Sequence, residues 1–316
     1  MRIATYYKTC PPDQAQLGCS MYGLGARKYW ETAIGVALPQ AIAQASQGQV
    51  HYALRQWNWD LSLERIVTYP IFHSLQESDD ISYCEVFDVP ERRPDGFVYG
   101  LVDDVIGREE QLEFWLEHVR PDVLFPTHDP RPEVGELCRK YGCKCEFLPW
   151  FIESPQPYCP DKTITAMSTG AIGYPCYPTR TKIIEFMAGL NRSDCIVGGT
   201  NDQTKYALTA EQYEKAVAHT KYYVTAGTWD FELPAKCIEV MNAGACLVCP
   251  QMPAMPYYGF EDGVNYIRLD EVQDIPAIID SNRWETIAPA GQRWVQEHHT
   301  VTQRARQIIG AYEGGV

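Results

Sequence analysis

A lysine and a glutamate three residues apart, Lys236 and Glu239, sit inside an otherwise apolar run, LPAKCIEVMNAGACLV (Leu233–Val248). On a helix this spacing puts both side chains on one face. Pro234 suits the first helical position and Gly244 suits the stop. The spacing therefore predicts a helix from about Pro234 to Ala243, with Ile238 and Met241 facing the core. A helix entered from the carboxyl end of a strand offers unpaired N–H groups and the positive end of its dipole. That arrangement fits a phosphate, with Lys236 adding charge and Glu239 accepting from sugar hydroxyls. The alternative is an ordinary surface pair worth ~0.2–0.5 kcal/mol.

Two further places could carry chemistry. LFPTHDP sets His128 and Asp129 just past a strand, where a histidine can take a proton from a hydroxyl or contact a sugar. An Asx-type turn with an exposed histidine is the other reading. YGLGARK sets Gly23 and Gly25 before a helix, but Lys28 stands where a dinucleotide fingerprint needs its third glycine. Gly25 is then either a loop glycine that lets backbone approach phosphates or part of a plain turn.

These residues need elements to position them. In the first half, strands are expected at Arg2–Tyr7, Gln49–Gln56, DVLFPT and KCEFLPW. Helices are expected at Ala26–Ala45 (bent or split at Pro39), Arg108–Val119 and RPEVGELCRKYG. The last of these alternations is the β-α-β-α rhythm of a parallel sheet covered by helices. ESPQPYCPDK (Glu153–Lys162), with three prolines, reads as a linker. The rhythm then repeats. Strands fall at TITAMS, DCIVGG, KYYVTA, ACLVC and VNYIRL, and helices at TRTKIIEFMAGL, TAEQYEKAVAHT, PAKCIEVMNA and EVQDIPAIID. Two helices close the chain, the second beginning at a Thr300–Gln303 capping box. The expected fold is α/β, two doubly wound Rossmann-like domains that bind ligand at the carboxyl ends of their strands. Domain limits are expected at 1–155 and 156–299, with a closing helix over 300–316 packing back on the first domain.

The totals narrow the function. The chain has 316 residues, 45% of them hydrophobic and 22% charged, which is enough for two folded domains. Its net charge of −14 argues against broad adhesion to nucleic acid or anionic membrane. No apolar run reaches the ~20 residues of a membrane span, and the N-terminus does not read as a signal peptide, so a cytoplasmic location is expected. Twelve cysteines include the clusters CRKYGCKC and CLVC. Residues three apart in a strand point to opposite faces, so Cys246 and Cys249 read as buried reduced thiols and not as zinc ligands.

The second half resembles the GT-B glycosyltransferases, specifically the CgeB-like, glycosyltransferase group 1 family. The resemblance rests on LPAKCIEVMNAGACLV, GAIGYPCYPTRTKII, YGFEDGVNYIRLDEVQDIPAII and AGQRWVQEHHTVTQRARQII, in order over residues of about 165–312. It implies a nucleotide diphosphate-sugar donor held mainly by the second domain. Glu239 corresponds to the ribose-binding glutamate, Lys236 to the lysine before it, and Arg180 to the arginine of a Tyr-Pro-x-Arg element that includes Tyr177. The loop GTWDFEL adds Thr228, Trp229, Asp230 and Glu232 to the expected donor set. Phe231 stands where many retaining members carry their first glutamate, and Asp230 or Glu232 could take that role. His298 and His299 match the closing motif, where a structural helix-end role is expected. No Asp-x-Asp of the GT-A type occurs, so no metal and no cofactor beyond the nucleotide-sugar co-substrate are expected. The acceptor hydroxyl is left open among glycan, protein, small molecule and hydroxylated nucleic-acid base. A non-catalytic two-domain nucleotide or sugar sensor is the alternative from another class.

Overall fold

A computed structural model describes residues 2–6, 38, 41, 44, 51–55, 66–71, 99–102, 109–127, 132–173, 175–199, 208, 210–229 and 232–314. Gly25, His128, Asp129, Asp230, Phe231 and most of the helix expected over Ala26–Ala45 lie outside these residues. The chain forms two compact units, with crossings between Pro149 and Trp150 and between Val301 and Thr302.

In the first unit the strands are β1 (Arg2–Tyr6), β2 (His51–Arg55), β3 (Ile66–Ile71), β4 (Tyr99–Val102), β5 (Val123–Pro126) and β6 (Lys144–Cys145). They form one parallel sheet in the order β2-β1-β3-β4-β5-β6. Every residue of β5 is buried, as expected of a strand covered on both faces. Helices α1 (Glu109–Val119) and α2 (Pro132–Lys140) pack through Leu112, Leu116, Val134 and Cys138. A Lys140–Glu113 ion pair and a Tyr141 hydroxyl bond to Glu113 join them.

The expected strand KCEFLPW keeps its ladder past β6, since Glu146 N–H donates to Leu124 O and Leu148 N–H to Pro126 O. Its outer carbonyls meet a helix instead of another strand. Arg304 Nε donates to Pro149 O at 2.8 Å and Gln307 Nε2 to Phe147 O at 2.7 Å. Both donors come from the closing helix, Val301–Glu313, which from Thr302 onward is grouped with this unit. A row of unpaired carbonyls is a sheet's exposed liability, and here side chains cover it.

The second unit's sheet contains β7 (Ile164–Gly170), β8 (Cys195–Gly199), β9 (Thr220–Val224), β10 (Cys246–Cys249) and β11 (Ile267–Arg268). All are parallel, in the order β11-β10-β9-β7-β8. Strand order therefore reverses between β7 and β9, and such a switch point opens a crevice at the strands' carboxyl ends. The helices are α3 (Pro178–Gly189), α4 (Ala210–Ala218), α5 (Ala235–Asn242), α6 (Ile275–Ile279) and α7 (Trp284–His298), and the closing helix above is α8. Tyr222 and Val224 of β9 face a core with Ile183 and Met187 of α3. The intervening Tyr223 turns to the opposite face, where its hydroxyl meets Tyr213 of α4.

Three expectations change in detail. EVQDIPAIID divides into a 3-10 turn, Val272–Asp274, and the short α6, because Glu271 and Asp274 form a capping box and Pro276 starts a new helix. VNYIRL shrinks to β11 because the buried Asn265 side chain folds back to Gly259 O and Glu261 N–H, holding the preceding residues in a turn. The proline-rich segment is anchored within the second unit. Asn242 bonds both Ser154 O and Gln156 N–H, and Gln292 and Gln296 donate to Gln156 O. Cys246 and Cys249 are fully buried, and burial pushes both thiols up, away from the thiolate a metal needs.

Candidate functional site

The segment between β9 and β10 builds one wall of the switch-point crevice. Pro234 is extended (φ −74°, ψ 151°) and caps α5, one residue earlier than its expected place inside the helix. No side chain caps this end; Cys237 N–H turns back to Pro234 O, and the N–H groups of Ala235 and Lys236 have no partner within the helix. At the other end Gly244 takes φ 78°, with Ala245 N–H bonded to Val240 O and Gly244 N–H to Met241 O. This is a Schellman stop, and a Cβ at Gly244 would also lie 2.8 Å from the Tyr158 ring. Cys237, Ile238, Val240 and Met241 are buried, which fixes the helix and leaves Lys236 and Glu239 on its open side. Trp150 Nε1 secures the approach by donating to Leu233 O at 3.0 Å.

Lys236 and Glu239 do not form the surface pair. Lys236 Nζ instead donates to Thr169 O, 2.8 Å away on β7. From α3, on the opposite face of the sheet, Arg180 reaches the same place and donates through Nε and Nη2 to Ala226 O (3.3 and 3.0 Å). Its guanidinium lies 4.2 Å from the Tyr177 ring centroid. Arg180 is 6% exposed, so it is not a solvated helix-start residue. Between the two cations is Gly170, the last residue of β7, at φ 155°. A Cβ there would lie 3.1 Å from both Lys236 Nζ and Arg180 Cδ. Among the described residues neither cation has a carboxylate partner. Holding two positive side chains this close costs electrostatic energy, and the attraction of Lys236 to Glu239 offsets some of it. An anion placed over Gly170 removes that cost.

Glu239 stands one helical turn beyond. Its carboxylate is partly buried and has no hydrogen-bond partner among the described residues. Burial raises its pKa above the usual glutamate value, Lys236 pulls it down, and Glu214 raises it further. A chain of hydroxyls lies beside it: Tyr213 to Tyr223 at 3.2 Å, and Tyr223 to Thr169 Oγ1 at 2.9 Å. An ionised carboxylate in this position has lone pairs open to hydroxyl donors.

Two residues past Ala226, Thr228 pairs with Glu232 through both backbone bonds. Both are buried. At the turn, Trp229 adopts φ 50° and its N–H bonds Cys176 O at 2.7 Å, next to Tyr177. His299 is buried, with Nε2 3.0 Å from Tyr258 O and its ring stacked on Tyr258, away from the crevice residues. No group of three metal-ligating side chains occurs among the described residues. Gly170, Thr169, Tyr223 and the Ala226 carbonyl were not singled out from the sequence. The available signal was the glycine that ends strand TITAMSTG.

Residues 180–310 match a family model described as glycosyl transferase-like. No protein of curated function matches the sequence. Among solved structures, Anabaena Alr3699/HepE in complex with UDP and glucose is similar at a TM-score of 0.57 and 9% identity, covering 99% of this chain and 100% of that one. The same protein with UDP-glucose gives 0.55 and 10% over the same coverage. A Staphylococcus aureus TarM mutant with fondaparinux, alpha-GlcNAc-glycerol and UDP gives 0.51 and 10%, with 68% of this chain covering 50% of that one. These likenesses show the GT-B fold.

Proposed function

We propose that this chain, a glycosyltransferase of GT-B fold, takes its sugar from a nucleoside diphosphate-sugar, with a UDP-hexose as the first donor to test. The observation that carries the reading is the pair of cations, Lys236 and Arg180, which meet over Gly170 at the switch point and form no ion pair among the described residues. The diphosphate would lie over Gly170, between Lys236, Arg180 and the uncapped N-terminus of α5. Glu239 would accept from the ribose hydroxyls. The UDP and UDP-glucose complexes of the similar Anabaena protein support the choice of donor.

In the proposed reaction, the bond between the anomeric carbon and the β-phosphate oxygen breaks, and the diphosphate leaves with the electron pair. An acceptor oxygen bonds the anomeric carbon and loses its proton. His128 and Asp129 are the sequence-based candidates to receive it. Lys236, Arg180 and the helix dipole would stabilise the charge that grows on the leaving diphosphate. Transfer is therefore expected to proceed undiminished in a chelator such as EDTA, and loss of turnover that a divalent ion restores would contradict this. The reading is tested by incubating the chain with a panel of nucleotide-sugars and following free nucleoside diphosphate. Slow release from one donor, accelerated by an acceptor, is expected. Binding without release would leave a sensor, and no binding would remove the donor reading.

A further inference from the structure

We infer that Trp229 is the platform on which the transferred sugar stacks, and that it selects donors whose pyranose ring presents a C–H-rich face. This rests on the donor reading above and extends it to the sugar. The first ground is backbone geometry. A tryptophan at φ 50° occupies a region that bulky side chains rarely adopt, and such outliers persist where surrounding structure enforces them. Here the enforcing contacts are the paired backbone bonds of Thr228 with Glu232 and the 2.7 Å bond from Trp229 N–H to Cys176 O. A glycine at this position would hold the same turn without strain. The sequence instead keeps a large ring there.

The second ground is exposure. Trp229 is 36% exposed, while Trp150 of the same unit is 1% exposed and fully committed to packing. An indole carried on a tied backbone and left partly bare suits a ligand with one apolar face and a polar edge.

The third ground is order along the crevice. Glu239 and the Tyr213–Tyr223 hydroxyls mark the α4 and α5 side of Gly170, where ribose hydroxyls would be accepted. Arg180, stacked on Tyr177, comes from the α3 side, and Trp229 is tied to the residue preceding Tyr177. With the diphosphate over Gly170, the nucleoside leads towards Glu239 and the sugar towards Trp229.

The test compares UDP and UDP-glucose binding, by calorimetry, in wild type, Trp229→Phe, Trp229→Ala and Trp229→Gly. Trp229→Gly relieves the positive φ and so guards against simple misfolding. Wild type is expected to bind UDP-glucose more tightly than UDP. In the Ala and Gly variants that advantage should disappear, a loss of about tenfold for UDP-glucose, with UDP affinity unchanged and Phe retaining most of the advantage. An equal loss for UDP and UDP-glucose would assign Trp229 to the nucleotide and overturn the inference. Unchanged UDP-glucose binding in all variants would overturn it too, as would a wild type that gains nothing from the hexose. A wild type that binds neither ligand defeats the donor reading itself.

Discussion

At the scale of a single residue, the proposed role of Glu239 sets a stability cost against a binding gain. Its carboxyl is raised by burial, so it titrates at higher pH in the folded chain than in the unfolded one. A carboxyl with a raised folded pKa favours folding while protonated, and that contribution is lost as pH rises from the ordinary glutamate value of about 4.5 through the folded pKa. At neutral pH the ionised group therefore opposes folding. Glu239→Gln should leave thermal stability at pH 7.5 equal or higher, while nucleoside affinity falls by up to about 1.5–3 kcal/mol for each charge-assisted bond lost. Wild-type affinity should also weaken on acidification with a midpoint above 4.5, and the variant should lack that midpoint. A glutamate that only packs would give a less stable variant with unchanged affinity.

At the scale of elements, the crevice depends on how β7 ends. Gly170→Ala would place a methyl 3.1 Å from Lys236 Nζ and Arg180 Cδ. Nucleotide affinity should fall well beyond the effect of Gly263→Ala, where φ is also positive (75°) but nothing lies within 4 Å of the added methyl. Both should cost more than about 1 kcal/mol of stability through the backbone, so equal affinities would mean that Gly170 bounds no ligand. Sequence periodicity revealed the alternating strands and helices here, because buried parallel strands and amphipathic helices leave distinct patterns. Lys236 and Glu239 were legible as charged residues in an apolar run, and Arg180 only through the resemblance carried by its Tyr-Pro-x-Arg element. Gly170 was not, since the expected strand stopped at Ser168. The carbonyls of Thr169 and Ala226, which hold the two cations, could not be, because every residue carries the same carbonyl. The strand order that makes β7 and β9 neighbours is set by tertiary packing, which local pattern does not encode.

On the scale of the whole molecule, every described residue of the proposed donor site belongs to the second unit. Arg304→Leu would remove the donor to Pro149 O at the covered edge of the first unit's sheet. It should lower stability by about 1–3 kcal/mol by leaving that carbonyl unpaired, with nucleotide affinity unchanged; a large loss of affinity would contradict the assignment of the donor to the second unit. Among the described residues no helix is long and apolar enough to cross a membrane. The central claim, that a diphosphate is held over Gly170, is tested most directly by calorimetric titration of uridine, UMP and UDP into wild type and Lys236→Ala. Wild-type affinity should rise with each added phosphate, and the variant should lose UDP affinity far more than uridine affinity. UDP binding that is unchanged in Lys236→Ala would contradict the account and move the donor site elsewhere.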